Sequence, residues 1–368
     1  MNIIHLVLGK ANPERMNGVN KVVDNLAKEQ TALGNNVSVW GITPSPDEKT
    51  SERVYPLALF KSHKNKLTID SQLIDAVNKT SQDTVFHLHG GFIPEFYHFT
   101  KLLNKNKLKY VFTPHGNYAA NAIKKNGVVK KIYFNVFEKE ILKTSKAVHC
   151  IGTGEWKDID KLIRTHNKVL VPNGQNVTPR PVEEKHAEPI FGFCGRVTRD
   201  QKGLDLLLEG FDIYVKNFNG KGKLWIIGEG DYLEEMKKLA YTYGLSDRIV
   251  FWGTKFGEDK FNLIAAMDSF YHTSRNEGLP TAVLEAAATG IPCVVSEYTN
   301  MGQYIEENNA GIFLKNNTPL EITASMVQIA EWKTEGLLTA KGINATQMIR
   351  KHFNWKKIAW NLVEVYKM

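Results

Sequence analysis

Strand-like and helix-like patterns alternate along the whole chain. Asn2–Leu8 is an apolar run of the length expected for a strand buried on both faces. From Gly18 to Leu33, the residues Val19, Val22, Val23, Leu26 and Leu33 recur at helical spacing, and Gly34 closes the segment. Further strands are predicted over Asn36–Gly41, Val54–Phe60, Thr84–Leu88, Lys109–Thr113, Ala147–Ile151 and Lys168–Val171, with helices over Thr68–Asn78, Ile93–Leu103 and Val128–Leu142. Pro172-Asn173-Gly174, Thr178-Pro179-Arg180-Pro181 and the polar run Glu183–Glu188 then interrupt the pattern. It restarts with predicted strands at Pro189–Cys194, Leu224–Ile227, Arg248–Trp252, Phe270–His272, Ile291–Val295 and Ile312–Leu314. Between and after them come predicted helices at Lys202–Lys216, Leu233–Tyr243, Lys260–Met267, Ala282–Thr289, Pro319–Glu331 and Glu335–Lys351, and an amphipathic tail from Trp355 to Tyr366. This order predicts an α/β protein built on parallel sheets. At 368 residues the chain exceeds one ordinary core, so two doubly wound units are expected, 1–175 and 176–353. Ligands of such sheets sit at the C-terminal ends of the strands.

Charge changes the picture for the first half. The net +8 is uneven: residues 1–180 hold 26 Lys+Arg against 15 Asp+Glu, and residues 181–368 hold 21 against 24. The first unit is therefore expected to meet something anionic, either a membrane surface or a lipid-pyrophosphate acceptor. Nucleic acid is set aside, because no known module appears and the basic residues are not grouped with base-stacking loops. Lys101 to Lys146 contains eleven lysines and two acids, Glu138 and Glu140, interleaved with Ile132, Tyr133, Phe134, Val136, Phe137 and Ile141. One face of that helix must be core. Lys124, Lys125, Lys130 and Lys131 either lie on anionic lipid or are simply solvated. No apolar run reaches the ~18 residues of a membrane helix, and the first strand opens without a signal-peptide pattern. Cys150, Cys194 and Cys293 stand singly, which argues against disulfides and zinc and for a reducing cytoplasm. The expected location is cytoplasmic, at the inner face of the cell membrane.

The most informative stretch is Tyr271 to Ser296. Pro280 suits the first helical position, and the N–H groups of Thr281 to Val283 then have no helical partner, an arrangement that attracts phosphate. Glu277 and Glu285 bracket that helix start, eight residues apart. Carboxylates on both sides of a phosphate site match the layout of a nucleotide sugar: ribose, diphosphate, sugar. Upstream, Gly195-Arg196 and Lys202-Gly203 follow the first strand of the second unit, where a guanidinium and an ammonium can converge on a diphosphate. Gly18 opens the first helix after a polar loop and permits close approach of a phosphate. His115, in Thr-Pro-His-Gly, and His89, in His-Gly90-Gly91, stand at neighbouring strand ends. For His89 an acceptor-facing and a purely structural role stay open. Gly228-Glu-Gly230 lacks the third glycine of a dinucleotide fingerprint and either lines a nucleotide pocket or makes a turn. Asp158-Ile159-Asp160 matches D-x-D but lies in a helix-like run beside lysines, so a solvated face outweighs a Mg²⁺ site, and no other ligand cluster is visible.

The Tyr271–Ser296 stretch resembles the E-x7-E signature of the retaining glycosyltransferases of family 4. The resemblance extends from the Gly18 loop through His115, Pro172-Asn173-Gly174, Arg196 and Lys202. It departs at Asn17, where the family has a second glycine. It implies the GT-B fold: two Rossmann-like domains facing across a cleft, the first for the acceptor and the second for the donor, with a tail helix (354–368) crossing back. It implies transfer of a hexose-type sugar from a nucleotide-diphosphate donor to a saccharide or lipid-linked acceptor, with retention and without a metal or other cofactor. Carried over residue by residue, Glu277, Arg196, Lys202 and His115 hold the catalytic roles. Donor contacts fall to Gly18, Gly195, Gly228, Gly253, Thr254, Lys255, Gly278, Leu279, Pro280, Thr281, Val283, Leu284 and Glu285, and acceptor contacts to His89 and Gly90. Trp252 to Lys255 is expected to meet the base. The family's habit points to bacterial surface polysaccharide. The alternatives are a sugar-nucleotide 2-epimerase of the same fold, separated by products formed without acceptor, and a non-catalytic nucleotide-sugar binder, which would not need the charge-stabilising cations.

Overall fold

The computed structural model describes residues 1–12, 18–47, 52–118, 127–164, 167–178 and 186–368. The chain parts into two compact units, Met1–Gly174 together with Trp355–Met368, and Gln175–Asn354.

The first unit is built on parallel strands β1 (Asn2–Leu8), β2 (Asn36–Thr43), β3 (Leu57–Lys61), β4 (Thr84–His89), β5 (Lys109–Thr113), β6 (Ala147–Cys150) and β7 (Lys168–Leu170), in the order β3-β2-β1-β4-β5-β6-β7. Alternation along the strands divides the side chains between two layers. Ile4, Leu6, Phe86, Leu88, Tyr110 and Phe112 join one core cluster with Phe96 and Phe99 of the helix Pro94–Lys105. Ile3, Val7, Val85 and Val111 join the other, with Val22, Val23 and Leu26 of the helix Gly18–Ala32 and Ile358 and Leu362 of the helix Trp355–Lys367. Burying a Phe or Leu side chain in this way contributes roughly 1.5–3 kcal/mol.

The expected elements form, with shifts that have local causes. The helix expected from Thr68 starts at Ser71, because the Asp70 carboxylate caps it, accepting from the Gln72 N–H at 2.8 Å. The long helix expected over Val128–Leu142 runs as Gly127–Tyr133, a π turn Phe134–Glu138, and Lys139–Thr144. Glu138, in the π turn, is buried and accepts from the Tyr118 hydroxyl, and burial pushes its carboxyl up to about 7.

The second unit carries β8 (Ile190–Cys194), β9 (Lys223–Ile227), β10 (Ile249–Gly253), β11 (Ser269–His272), β12 (Cys293–Ser296) and β13 (Gly311–Leu314), all parallel, in the order β10-β9-β8-β11-β12-β13. Strand order therefore reverses between β8 and β11, the edge where doubly wound sheets bind ligands. The single helix expected from Lys202 to Lys216 is broken. A one-turn segment Arg199–Lys202 ends at Gly203 (φ 63°), and the helix proper is Leu204–Asn217. The strand expected from Ile291 begins at Cys293. A turn at Glu297–Thr299 and a helix at Gly302–Glu307 have no counterpart among the predicted elements, since six residues are too few to show a helical period.

Candidate active site

Because β8 and β11 are hydrogen-bonded neighbours, the loops that leave them lie side by side. Three side chains fasten them. The Thr273 hydroxyl donates to the carbonyl of Gly203 at 3.0 Å. The Arg275 guanidinium grips the Asp205 carboxylate at 2.8 and 2.7 Å, and the Asn317 amide donates to the Thr273 carbonyl at 2.9 Å. Gly203 is required here: a Cβ at this position would stand 2.1 Å from the Thr273 carbonyl oxygen. Gly203→Ala is accordingly expected to cost at least about 1–2 kcal/mol from the left-handed backbone alone. Thermal unfolding checks this, and an unchanged midpoint would contradict it.

Held by this frame, the ammonium of Lys202 pairs with Oε1 of Glu277. The same oxygen accepts from Nε2–H of His272 at 3.1 Å and from the Ser274 hydroxyl at 3.1 Å. Burial would raise the Glu277 carboxyl. The His272 hydrogen bond and the Lys202 charge overcome it and hold the group down at about 2. Burial lowers His272 despite its carboxylate partner, so the ring is a neutral Nε2–H donor. The Glu277 main chain is also fixed. Its N–H donates to the Tyr298 carbonyl at 3.1 Å, and the Asn300 amide donates to the carbonyls of Glu277 and Gly278 at 2.9 and 2.7 Å. The cluster is thus an ionised carboxylate and a cation, with further donor capacity left on the ammonium.

The other second-unit residues fall around this cluster in different ways. Glu285 pairs with Lys260 at 2.8 Å and does not join Glu277. Pro280 is the helix N-cap and not its first residue, and the helix runs Thr281–Ala288. The N–H of Val283 donates back to the Pro280 carbonyl at 3.1 Å, so of the three donors expected only those of Thr281 and Ala282 are without a partner among the described residues. The side chains of Val283 and Leu284 are fully buried, and the Leu284 N–H, like that of Val283, turns back to the Pro280 carbonyl, at 3.4 Å; Leu279 is also buried. Arg196 follows Gly195 at the end of β8, exposed, and pairs with no acid among the described residues. Gly228 (φ 132°) lies against the Gly195 carbonyl, 2.0 Å from where a Cβ would stand, and its N–H donates to the Gly253 carbonyl at 2.8 Å. Gly195, Gly228 and Gly253 therefore draw three strand ends together, and Thr254 and Lys255 follow half-buried.

In the first unit Gly18 is the exposed first residue of its helix, and among the described residues nothing lies within 4 Å of the point where a Cβ would stand; Asn17, Lys124 and Lys125 lie outside the described residues. His115 adopts a left-handed backbone (φ 55°), a conformation that a non-glycine residue holds only when its surroundings enforce it. The enforcing group is Glu155, whose buried carboxylate accepts from the N–H of Gly116 at 2.6 Å and of Ile151 at 2.8 Å. Burial raises that carboxyl to about 7. His89 corrects an expectation: it is buried, and its two ring nitrogens are taken by His5 at 2.9 Å and His115 at 3.0 Å, so it stands behind His115 and offers an acceptor nothing. The Gly90 N–H donates to the Thr113 carbonyl at 2.8 Å. Asp158 pairs with Lys161 on the same helix, and Asp160 reaches from the helix to Lys168 at the start of β7. A cluster unseen in the sequence is His5, His87 and His89, brought together by strand register. The residues missed in the second unit are His272, Arg275 and Asn300. His272 alone left a signal, a polar residue ending an apolar strand five positions before Glu277.

Comparison with known families identifies the chain. Residues 16–178 match the family described as Glycosyltransferase Family 4, and residues 174–335 the one described as Glycosyl transferases group 1. The chain belongs to the family 4 glycosyltransferases. This family 4 chain is 31% identical over 180 residues to an uncharacterized glycosyltransferase of Methanocaldococcus jannaschii, covering 48% of this chain and 45% of the relative. It is 26% identical over 181 residues to a UDP-Gal:alpha-D-GlcNAc-diphosphoundecaprenol alpha-1,3-galactosyltransferase of Escherichia coli, with 48% and 45% covered. In these two matches the chain spans about half the length of the relative. An uncharacterized 41.2 kDa protein in the cps region of Klebsiella pneumoniae is 24% identical, with 100% of this chain and 99% of the relative covered. Among solved structures, sucrose-phosphate synthase of Thermosynechococcus elongatus superposes with a TM-score of 0.74 at 17% identity, covering 100% and 98% of the two chains. Those likenesses show the GT-B fold.

Proposed function

We propose that this protein transfers a hexose-type sugar, with retention, from a nucleotide-diphosphate donor to a saccharide or lipid-linked acceptor. The observation that carries the reading is the Lys202–Glu277–His272 cluster at the β8/β11 reversal. On this reading the acceptor hydroxyl attacks the anomeric carbon from the face the diphosphate leaves. The bond to the acceptor oxygen forms as the bond to the phosphate oxygen breaks, and that phosphate oxygen takes the hydroxyl proton. Lys202, Arg196 and the free N–H groups of Thr281 and Ala282 stabilise the charge growing on the diphosphate. Glu277, with the N–H groups of Gly278 and Leu279, orients the sugar, and Glu285 holds the ribose hydroxyls. None of these steps calls on a metal. The test is incubation with UDP-, GDP- and ADP-sugars and a panel of glycan and lipid-diphosphate acceptors, with the product anomer read by NMR. An α-linked product from an α-donor supports the reading. Altered nucleotide sugar formed without acceptor would point to an epimerase, and binding without turnover to a non-catalytic role.

The same reading places the protein in bacterial surface polysaccharide synthesis at an anionic membrane face. The Klebsiella relative and the lipid-diphosphate substrate named for the E. coli relative support it. So does the helix around Lys130: Val128, Val129, Ile132 and Val136 are all exposed beside Lys130 and Lys131. No helix among the described residues is long and apolar enough to cross a membrane. Liposome flotation is expected to show salt-sensitive binding to anionic vesicles, weakened by Lys130→Glu with Ile132→Ser; indifference to vesicle charge would end this part of the reading.

A further inference from the structure

The sheet of the first unit contains a polar seam inside an apolar layer. β1 supplies His5, β4 supplies His87 and His89, β5 ends at Thr113, and β6 supplies His149. Register sets His5 beside His87 and His89 beside Thr113. Gln30 of the helix Gly18–Ala32 and Tyr366 of the helix Trp355–Lys367 reach the seam from the covering layer. All of these side chains are buried. They form one unbranched run: His115 to His89 at 3.0 Å, His89 to His5 at 2.9 Å, His5 to Gln30 at 2.7 Å, and Gln30 to Tyr366 at 3.3 Å. It continues from Tyr366 to His87 at 2.5 Å, His87 to Thr113 at 2.6 Å, Thr113 to His149 at 2.7 Å, and His149 to the Val171 carbonyl at 2.6 Å.

The last partner fixes the direction of every bond before it. A carbonyl only accepts, so His149 carries its proton on Nε2. A neutral imidazole has one N–H, so Nδ1 of His149 accepts from the Thr113 hydroxyl. With its one proton used, the Thr113 oxygen accepts from Nε2–H of His87, whose Nδ1 accepts from the Tyr366 hydroxyl. The phenol oxygen then accepts from the Gln30 N–H, which turns the Gln30 carbonyl toward Nε2–H of His5. Nδ1 of His5 accepts from Nε2–H of His89, and Nδ1 of His89 from Nε2–H of His115. Burial keeps the rings neutral: His5 and His149 are lowered to about 4, His115 to about 3, and His87 and His89 well below the ordinary value. His115 is left with a bare Nδ1, which has no partner among the described residues, while Glu155 clamps the backbone beside it.

We propose that this run is a positioning network: Gln30, Tyr366, His87, Thr113 and His149 hold His115 as its Nε2–H tautomer, so that Nδ1 presents a fixed hydrogen-bond acceptor to a hydroxyl of the bound sugar. The sugar rests on the transferase reading; the tautomer does not. Long-range proton–nitrogen spectra of the full chain carrying ¹⁵N-histidine decide it without ligand or variant. His115 is expected to show a protonated Nε2 and an unprotonated Nδ1. A wild-type spectrum with His115 protonated on Nδ1, or charged, overturns the proposal. Tyr366→Phe and Thr113→Val are expected to mix the His115 tautomers and raise KM for the nucleotide sugar roughly 3- to 10-fold, the loss of about one hydrogen bond. His115→Asn sets a permanent oxygen acceptor where Nδ1 stands, so adding Tyr366→Phe to it is expected to cost nothing further in KM. If Tyr366→Phe lowers the unfolding midpoint but leaves tautomer and KM unchanged, the network is structural only and the proposal fails. Retention of stoichiometric Zn²⁺ by the purified protein, with loss of the His5 and His89 N–H signals, also overturns it, since those rings would then be ligands. A wild-type spectrum as expected with no nucleotide sugar bound at all would sink the transferase reading and leave the tautomer assignment standing.

Discussion

In Glu277→Gln, sugar transfer is expected to fall by about 10²–10³-fold, the usual cost of removing one preorganised electrostatic contact from a transition state. The isosteric amide keeps an oxygen for His272 and Ser274 and loses the charge that faces Lys202. The fold should survive, at a cost of about 1–3 kcal/mol for an impaired buried hydrogen-bond cluster. That cost carries a pH signature. The Glu277 carboxyl sits at about 2 in the folded chain against an ordinary 4.5. A carboxyl lowered on folding stabilises the protein above its unfolded value and loses that contribution as pH falls through the folded one. The gap in unfolding midpoint between wild type and Glu277→Gln should therefore be full at pH 5 and above and shrink between pH 4.5 and 2. Activity near wild type, or a gap that does not narrow in acid, would contradict the assignment.

Lys202→Met is expected to lose activity to a similar or greater degree, because Lys202 is asked to serve two anions. It neutralises Glu277 in the folded chain, and with three N–H donors it retains capacity for a diphosphate. Its loss should appear in kcat more than in KM, since the charge it meets grows as the leaving group departs. The Glu277→Gln/Lys202→Met double variant should be little worse than either single one, because paired groups do not add. Full additivity would mean that the two side chains act separately and that their contact is incidental.

How much of this was legible beforehand differs between elements. The alternation of β1, β4, β5 and the second-unit strands is written in apolar runs bounded by glycine and proline, and those elements lie within a few residues of their expected spans. Lys202 and Glu277 were named from their motifs, but their ion pair was not, because it depends on β8 and β11 being neighbours while 75 residues separate the two side chains. The break at Gly203 was hidden because the residues on both sides favour helix, and only the left-handed backbone and the contact with the Thr273 carbonyl make glycine necessary. For His89, at a strand end, a binding and a structural role were equally open. Its true surroundings come from β1, from the loop after β5 and, through Gln30 and Tyr366, from the helices packed over the sheet. Glu138 and Glu155 read as ordinary helix acids, and nothing in their spacing marked them as buried.

Lys202 and Glu277 are assigned to different parts of one ligand, the diphosphate and the sugar. Calorimetric titration of wild type, Lys202→Met and Glu277→Gln with the free nucleoside diphosphate and with its sugar conjugate tests that division. Lys202→Met should weaken both ligands, whereas Glu277→Gln should weaken the conjugate by roughly tenfold, about 1.4 kcal/mol, and leave the free diphosphate nearly unchanged. If both variants bind both ligands as wild type does, the cluster at the β8/β11 edge is not the donor site.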